Sequence, residues 1–329
     1  MVDELEGNRF ETCGKSRDRV LVAGCGAVGT VVGCLLAADG CRVEAIGRGE
    51  HFAVARREGL RVVGIWGEHH AVLDGYHDGG HSVVGEFDAV LVACKGFQTE
   101  DLLGELSAAC LAPSGRVISL QNGLGNVERL AAVFGEERSL AARVIFGAEI
   151  PCPGTARVTV EAAPTLLGRT FVATEDEGAR EWAERFSRAS IPAQSTTTIL
   201  AALWGKVFYN AALNPLGALL GLPYGELPQD PERRRVMDQV IEEAFAVAVA
   251  DGVDLPWPSA QEYRRVFYDQ LLPPTVRHRS SMLRDLERGR PTEIEAICGE
   301  ICRRADEHGL DVWANRVLLA LVRGRSSAA

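Results

Sequence analysis

Residues 19–29 read Arg19-Val-Leu-Val-Ala-Gly24-Cys25-Gly26-Ala27-Val28-Gly29, and they are the part of the chain that most clearly indicates the fold. A run rich in Val and Leu ends in Gly-x-Gly-x-x-Gly and continues into a helix-forming segment, residues 27–39. Gly40 ends that helix, and a second apolar run follows at residues 41–46. Strand, glycine turn, helix and strand in this order form the βαβ unit that binds dinucleotides. The stretch therefore predicts a Rossmann-type α/β domain.

Each glycine of the turn has its own physical role. We expect Gly24 to permit a tight turn, Gly26 to let backbone amides approach a pyrophosphate, and Gly29 to let the helix pack closely on the strand. The helix N-terminus adds aligned N–H donors for an anion. The predicted cofactor-binding residues of the turn are Gly24, Cys25, Gly26, Ala27, Val28 and Gly29.

The composition is typical of a globular protein. The chain has 329 residues, enough for about two domains, and 47% of them are hydrophobic. A net charge of −10 argues against a nucleic-acid or anionic-membrane partner, and no apolar stretch reaches the roughly 18 residues of a membrane span. Residues 1–18 are polar and unlike a signal peptide, so we expect a disordered leader. Nine cysteines without a Cys-x-x-Cys pair indicate reduced thiols and a cytoplasmic protein.

One cluster of residues resembles metal ligands. It consists of His69, His70, Asp74, His77, Asp78 and His81. Its spacing matches no known site, and the segment is rich in turn-forming glycine. We therefore interpret it as a solvated loop and expect no bound metal.

The pattern of the chain changes near residue 198. Before it, short apolar runs alternate with helical patterns, which predicts a largely parallel sheet covered by helices. The predicted strands there are 61–65, 87–93, 116–120, 140–146 and 157–160, and the predicted helices are 99–110, 126–134 and 175–189. After it, helical spacing continues alone at 200–220, 232–251, 259–271, 291–308 and 314–322. We expect a cofactor domain over 19–198 and an all-helical domain over 199–329.

Polar residues follow two of the predicted strands. Lys95 comes after strand 87–93, and Asn122 comes after strand 116–120. Open α/β sheets bind ligands beyond the carboxyl ends of their strands, so both side chains are candidates for the nicotinamide end of a cofactor. Taken singly, Lys95 is equally explained as a surface lysine and Asn122-Gly123 as an ordinary turn.

The end of the second strand indicates which dinucleotide is bound. NAD-specific units place Asp or Glu there to bind the ribose hydroxyls, whereas this chain has Arg48, and Glu44 lies earlier, in mid-strand. A planar guanidinium suits a 2′-phosphate, so the sequence predicts NADPH rather than NADH. The alternative is that Arg48 is a solvated loop residue.

The helical half contains a second group of polar residues. Lys206, Asn210 and Asn214 are spaced i, i+4 and i+8, so they share one face of a largely apolar helix. Buried polar groups need partners, which are either one another, in a hydrogen-bond ladder, or a ligand. Farther along, Ser281 and Glu293 are also candidates, although taken singly a helix cap and a first-turn acid explain them better.

Taken together, these residues resemble the 2-dehydropantoate 2-reductase (ketopantoate reductase) family. The shared pattern is Gly24-x-Gly26-x-x-Gly29, Lys95, Gln121-Asn122-Gly123-x-Gly125, Lys206-x-x-x-Asn210-x-x-x-Asn214-Pro215, Gly225-Glu226-Leu227, Ser280-Ser281-Met282-x-x-Asp285 and Thr292-Glu293-Ile294-Glu295. The pattern runs from about residue 19 to the C-terminus. The resemblance implies an NADPH-binding domain, a helical C-terminal domain like that of 6-phosphogluconate dehydrogenase, and an active site between them.

The resemblance also implies a role for each residue of the site. Lys206 would be the general acid that protonates the ketone oxygen, and Asn122 would touch the nicotinamide ribose and the substrate. Glu293 would position the cofactor or Lys206, and Lys95 would contact the cofactor. The substrate's hydroxyl and carboxylate would be held by Asn210, Asn214 and Ser281.

Three departures from the family pattern bear on the substrate. Tyr224 stands where members can carry a substrate-facing asparagine, Trp313-Ala314-Asn315 replaces a Pro-x-Asn, and the loop 148–155 is unusual. The implied activity is reduction of ketopantoate, with another branched 2-oxo acid as the alternative. A non-catalytic NADP(H) sensor and a dehydrogenase of the 3-hydroxyacyl or opine type are further alternatives. The apolar helical half is compatible with a homodimer.

Overall fold

The computed structural model describes residues 18–327. An α/β half comes first, and helices alone continue from Ile199. The predicted leader, residues 1–18, lies outside the described residues apart from Asp18, whose carboxylate accepts hydrogen bonds from Arg185. Every helix within residues 18–327 is too short or too polar to span a bilayer.

The two halves are built from twelve strands and eleven helices in the described residues. The strands are β1 (Arg19–Ala23), β2 (Arg42–Ile46), β3 (Leu60–Gly64), β4 (His69–Ala71), β5 (Gly75–His77), β6 (Phe87–Val92), β7 (Leu111–Ser119), β8 (Ser139–Arg143), β9 (Phe146–Cys152), β10 (Thr155–Glu161), β11 (Thr165–Gly168) and β12 (Ala193–Ser195). The helices are α1 (Ala27–Ala38), α2 (Gly49–Glu58), α3 (Thr99–Glu105), α4 (Asn126–Phe134), α5 (Glu177–Arg188), α6 (Ile199–Leu220), α7 (Pro231–Ala250), α8 (Ala260–Val266), α9 (Ser281–Glu287), α10 (Glu300–His308) and α11 (Trp313–Ser327).

The main sheet has the order β12-β11-β8-β7-β6-β1-β2-β5. Its neighbouring strands run parallel except for the pair β8 and β11. The first strand is buried on both faces, as a central parallel strand must be, and residues 20–23 have no exposed surface. The predicted α/β fold with a largely parallel sheet, followed by helices, is thus confirmed. The carboxyl ends of β1, β6, β7 and β8 meet at one edge.

A second sheet, in the order β4-β3-β10-β9, packs against α1 and corrects several sequence predictions. The segment containing His69 and His81 is not a plain loop, because β4 and β5 lie within it. The predicted loop 148–155 is also wrong, since it consists of the ends of β9 and β10 and the turn between them. Both β4 and β5 are three-residue edge strands, and such strands lack the alternation of apolar and polar residues that indicates a half-buried strand.

Other predicted elements differ mainly at their ends. The predicted strand 140–146 breaks after Arg143, and β9 begins at Phe146. The predicted helix 99–110 ends at Glu105, and the predicted helix 291–308 begins only at Ile294, with a π-helical segment over Glu295–Gly299. Glu293 therefore precedes the helix, and its carboxylate accepts hydrogen bonds from Lys95 and Asn122.

Helix α6 forms the centre of the helical half. Trp204, Phe208 and Ala211 on this helix have no exposed surface, as expected for a helix covered on nearly all sides. A buried carboxylate fastens α11 to α7: Glu243 accepts hydrogen bonds from the backbone N–H of Ala314 and from the side-chain amide of Asn315, the latter at 2.8 Å. The segment Trp313-Ala314-Asn315 is therefore structural.

Candidate active site

The glycine turn has the geometry that its sequence predicts. Gly24 has φ +109°, and a Cβ there would lie 2.3 Å from the backbone nitrogen of Cys94. A Cβ on Gly29 would lie 2.1 Å from the carbonyl oxygen of Gly24. Both packing predictions are confirmed, because only glycine fits either position. At Gly26, the N-cap of α1, a Cβ would meet nothing within 4 Å, so open space lies before the helix N-terminus.

The other residues of the turn line the start of α1. Ala27 and Val28 form its first turn, and their backbone N–H groups point out of the helix end. The Cys25 thiol is buried and lies 3.6 Å from the Thr30 hydroxyl. Burial raises the pKa of Cys25 to about 11, so the turn carries a neutral thiol that adds no negative charge.

Arg48 is the N-cap residue of α2, and its side chain is exposed. The guanidinium donates to the Glu105 carboxylate at 3.0 Å and to the Asp78 carbonyl at 3.2 Å. Glu44 cannot take the place of a ribose-binding acid, because it is buried in β2 and paired with Arg19 and His77 at 2.6 and 2.8 Å. The end of β2 therefore presents a cation on its surface.

Lys206 on α6 is held by two neutral acceptors from the α/β half. Its Nζ donates to Asn122 Oδ1 at 2.7 Å and to the Val144 carbonyl oxygen at 2.6 Å. Burial lowers the pKa of Lys206 from 10.5 to about 8, while the charge of Glu293 opposes this shift and that of Arg143 adds to it. The site thus contains an amine whose proton leaves more readily than that of an ordinary lysine.

Two carboxylates of the helical half bind the other lysine of the site. The Nζ of Lys95 donates to Asp285 and to Glu293, at 3.1 Å each. Burial disfavours the charge of Lys95, but the two carboxylates outweigh it and raise the pKa of this lysine. Asn122 Nδ2 also donates to Glu293, at 3.2 Å. Glu293 therefore contacts both residues that follow the sheet strands, and it influences Lys206 only through its charge.

Close backbone packing brings these halves together. Gly123 has φ +85°, and a Cβ there would lie 2.1 Å from the Ala296 carbonyl oxygen. The same oxygen accepts a hydrogen bond from the Leu124 N–H at 2.8 Å. Ala296 belongs to the π-helical segment three residues beyond Glu293, and π-helical turns are frequent at functional sites. The loop after β7 thus sets the distance between Asn122 and Glu293.

The polar residues of α6 do not bond to one another. Asn214 Oδ1 accepts a hydrogen bond from the Tyr224 hydroxyl, and Asn210 is buried without a hydrogen-bond partner in the described part of the chain. The predicted alternative of a mutual ladder with Lys206 is therefore wrong. The Asn214 amide thus bonds to a residue outside α6, whereas the Asn210 amide forms no hydrogen bond within residues 18–327.

A small cavity lies where the two halves meet. It contains about 210 Å³ of space between atoms, part of it open to solvent. Its lining consists of Asn122, Asn214, Ser281, Met282, Asp285, Glu293 and Ile297. Ser281 is the first residue of α9, and the capping role belongs to Ser280, whose hydroxyl accepts the Leu283 N–H at 3.0 Å. Arg48 lies apart from this cavity, at the end of β2.

Three participants were missing from the predicted site. The Val144 carbonyl has no side-chain signature, so no sequence pattern could indicate it. Asp285 stands one turn after Ser281, and that spacing was a usable signal. Tyr224 was noted only as a departure, whereas its hydroxyl bonds to Asn214. No group of three or more His, Cys, Asp or Glu side chains within residues 18–327 is arranged to hold a metal.

Comparisons with known proteins show what this chain is similar to. Two family models match, "Ketopantoate reductase PanE/ApbA" over residues 20–170 and "Ketopantoate reductase PanE/ApbA C terminal" over residues 198–326. A 2-dehydropantoate 2-reductase of Aquifex aeolicus is 32% identical over 93% of this chain and 96% of its own length. A PanE/ApbA family ketopantoate reductase of Ralstonia eutropha JMP134 has a solved structure with 34% identity and a TM-score of 0.82, covering 94% of this chain and 99% of that one. A D-mandelate dehydrogenase structure with NADH and anilino(oxo)acetate is 22% identical with the same TM-score, covers 94% of this chain and 99% of that one, and shares the fold.

Proposed function

Because the chain belongs to the ketopantoate reductase family, we propose that it reduces 2-dehydropantoate to pantoate with NADPH, a reaction of pantothenate biosynthesis. The observation that carries this proposal is Lys206, a lysine of lowered pKa held by Asn122 and Val144 beside the cavity. Residues 19–198 then bind the cofactor, and residues 199–329 supply the acid and most of the substrate contacts. We propose a cytoplasmic location, which suits the free thiols of the described cysteines.

The described residues fit a bound NADPH. Residues 24–29 would hold the pyrophosphate, because the turn leaves open space before the N-terminus of α1. Arg48 would bind the 2′-phosphate, exchanging its bond to Glu105 for a bond to a doubly charged anion. Lys95, Asn122 and Glu293 would contact the nicotinamide end. When bound, NADPH supplies the hydride.

Lys206 serves as the general acid in this proposal. Reduction of a 2-oxo acid builds negative charge on the former carbonyl oxygen, and a protonated lysine both stabilises that charge and delivers the proton. An ammonium group has three N–H donors. Asn122 and Val144 accept two of them, which leaves the third for the substrate oxygen. With a pKa of about 8 the amine is mostly protonated at neutral pH.

The neutral polar groups of the helical half orient the substrate. Tyr224 occupies Oδ1 of Asn214, so the amide nitrogen of Asn214 is the atom turned to a ligand. Asn210 and Ser281 complete a set that can bind the hydroxyl and carboxylate oxygens of ketopantoate. Asp285 holds Lys95 in place through their 3.1 Å contact.

The decisive experiment measures the loss of NADPH absorbance with ketopantoate and a panel of other 2-oxo acids. Lys206→Ala should lower kcat by about 10²–10⁴-fold and leave NADPH affinity unchanged, because it removes only the acid. Unchanged turnover in this variant would refute the assigned role. No oxidation by the wild type with any 2-oxo acid would instead favour a non-catalytic NADP(H) sensor.

One observation favours a second candidate, reduction of another branched 2-oxo acid. The Tyr224 ring is almost fully buried, and it packs between Tyr209 and His278. It therefore places a rigid aromatic ring beside the cavity-lining Asn214, at a position where members of the family can carry an asparagine. A higher kcat/KM for a 2-oxo acid other than ketopantoate in the panel would select this candidate.

We also propose a homodimer formed through α11. Trp313, Val317 and Leu321 on this helix are 53%, 46% and 53% exposed. Their i, i+4, i+8 spacing gives one apolar stripe, and two copies related by a two-fold axis would cover the same stripe on each other. Light scattering after gel filtration tests this, and a monomer at micromolar concentration would contradict it.

A further inference from the structure

Arg143 is a charged residue near Lys206 that the proposed mechanism does not use. It is the last residue of β8, at the same edge of the sheet as Asn122. The next residue, Val144, gives its carbonyl oxygen to Lys206 at 2.6 Å. Ala141, two residues earlier and so on the same face of the strand, packs in the core formed around α6. The side chain of Arg143 therefore leaves the sheet on the side of Lys206.

Arg143 lacks a counter-charge. Its side chain is half-buried, its Nε is shielded from solvent without a hydrogen-bond partner, and it forms no ion pair within residues 18–327. Burial lowers the pKa of this guanidinium, yet arginine stays charged at any working pH. Its charge also reaches Lys206, since it lowers the pKa of that lysine. A cation kept partly desolvated without an anion is unfavourable unless a ligand supplies the anion.

The other charges of the site cannot neutralise a substrate carboxylate. Asp285 and Glu293 are both negative, and both are already bound to Lys95 at 3.1 Å. Lys206 has only neutral acceptors, but its proton is needed at the carbonyl oxygen. The asparagine and serine side chains of the site are uncharged, so they cannot neutralise a carboxylate. A 2-oxo acid bound by these groups alone would leave the site with one uncompensated negative charge.

The nearby cation on α9 is also occupied. Arg284 lies next to Asp285 in sequence, and its guanidinium pairs with Glu149 of β9 at 3.3 Å. Among the cations of the described cleft, Arg143 alone combines an unpaired charge with a place beside Lys206. Its planar fork matches a carboxylate in a bidentate contact.

We infer that Arg143 binds the carboxylate of the 2-oxo acid and leaves Lys206 to protonate the carbonyl oxygen, a conclusion that rests on the proposed reductase function. The neutral amides and Ser281 then contact the hydroxyl group and the branched carbon chain of the substrate. Under this assignment Arg143 determines specificity for an acid over an uncharged ketone of the same shape.

The test compares a 2-oxo acid with its uncharged amide in the wild type and in Arg143→Met. A lost charge-assisted contact lowers kcat/KM for the acid by about 10–100-fold, mainly through KM, while kcat/KM for the amide stays unchanged. Arg143→Lys keeps the charge but not the two-pronged guanidinium, so its kcat/KM for the acid should fall less. Guanidinium ions added to Arg143→Ala should restore part of the activity. NADPH affinity and Tm report whether each variant is folded.

Arg169→Met is the matched control. Arg169 follows β11, and its Nε is also buried without a partner, but it makes no contribution to the pKa of Lys206. This variant should keep the wild-type preference for the acid. If Arg143→Met also kept the wild-type preference for the acid over the amide, the inference would be overturned. An equal loss of this preference in Arg143→Met and Arg169→Met would overturn it too.

Binding of oxamate, an unreactive 2-oxo acid analogue, separates this inference from the proposed function. Calorimetry should find oxamate bound about 10–100-fold more weakly by Arg143→Met than by the wild type, both loaded with NADPH. Equal affinities overturn the role of Arg143 even if the wild type is an active reductase. Weaker oxamate binding by Arg143→Met, together with no turnover by the wild type, supports the role of Arg143 and refutes the reductase function.

Discussion

Raising the pH tests the role of Lys206 directly. A general acid must be protonated, so activity is full below its pKa and is lost as the pH rises through that value. With a pKa of about 8, the protonated fraction falls from about nine tenths at pH 7 to about 3% at pH 9.5, which lowers kcat/KM about 30-fold. A lysine with the ordinary value would still be about nine tenths protonated at pH 9.5 and would lose almost no activity.

The assay is kcat/KM for ketopantoate at saturating NADPH, in buffers of constant ionic strength. Activity plotted against pH should fall on the alkaline side, and two variants should shift this alkaline limb in opposite directions. Glu293→Gln removes a charge that raises the pKa of Lys206, so the limb moves to lower pH. Arg143→Met removes a charge that lowers this pKa, so the limb moves to higher pH.

Activity regained on return from pH 9.5 to pH 7 excludes unfolding as the cause of the loss. A flat wild-type profile up to pH 9.5 would refute the assignment of Lys206 as the acid. Shifts of the same sign in Glu293→Gln and Arg143→Met would refute the electrostatic account, because the two charges are opposite.

Two further predictions concern the cofactor and the fold. Arg48→Ala should reduce the preference for NADPH over NADH by about 10–100-fold, by loss of a charge-assisted contact, and leave kcat/KM with NADH unchanged. Arg57→Ala on the same helix, whose guanidinium bonds to the adjacent Glu58, is the control, and an equal effect in both variants would contradict the role of Arg48. Asn315→Ala should lower the free energy of unfolding by about 1.5–3 kcal/mol in urea titrations, because Glu243 loses a buried donor. Arg316→Ala, which breaks an exposed pair with Asp306, should cost under about 1 kcal/mol, and similar losses in the two variants would argue against the buried contact.

The sequence alone sufficed for features that depend on neighbours in the chain. Gly24 and Gly29 predict the βαβ unit, because the two glycines lie within a few residues of each other and a Cβ has no room at either position of the turn. The spacing of Lys206, Asn210 and Asn214 likewise predicts a shared helical face, since 3.6 residues complete one turn. The sequence did not predict the short edge strands β4 and β5, because exposed strands lack an alternation of apolar and polar residues.

Which groups meet in the site depends on how the chain folds in three dimensions. The chain separates Asn122 from Lys206 by 84 residues, yet their side chains lie 2.7 Å apart. Periodicity indicates which face of a helix is covered, but not what covers it, so the Val144 carbonyl and the charge of Arg143 were invisible beforehand. The order of the residues is thus enough to indicate the fold, the family and the candidate acid. Packing between the two halves decided the environment of that acid, because its pKa depends on burial and on charges from distant segments.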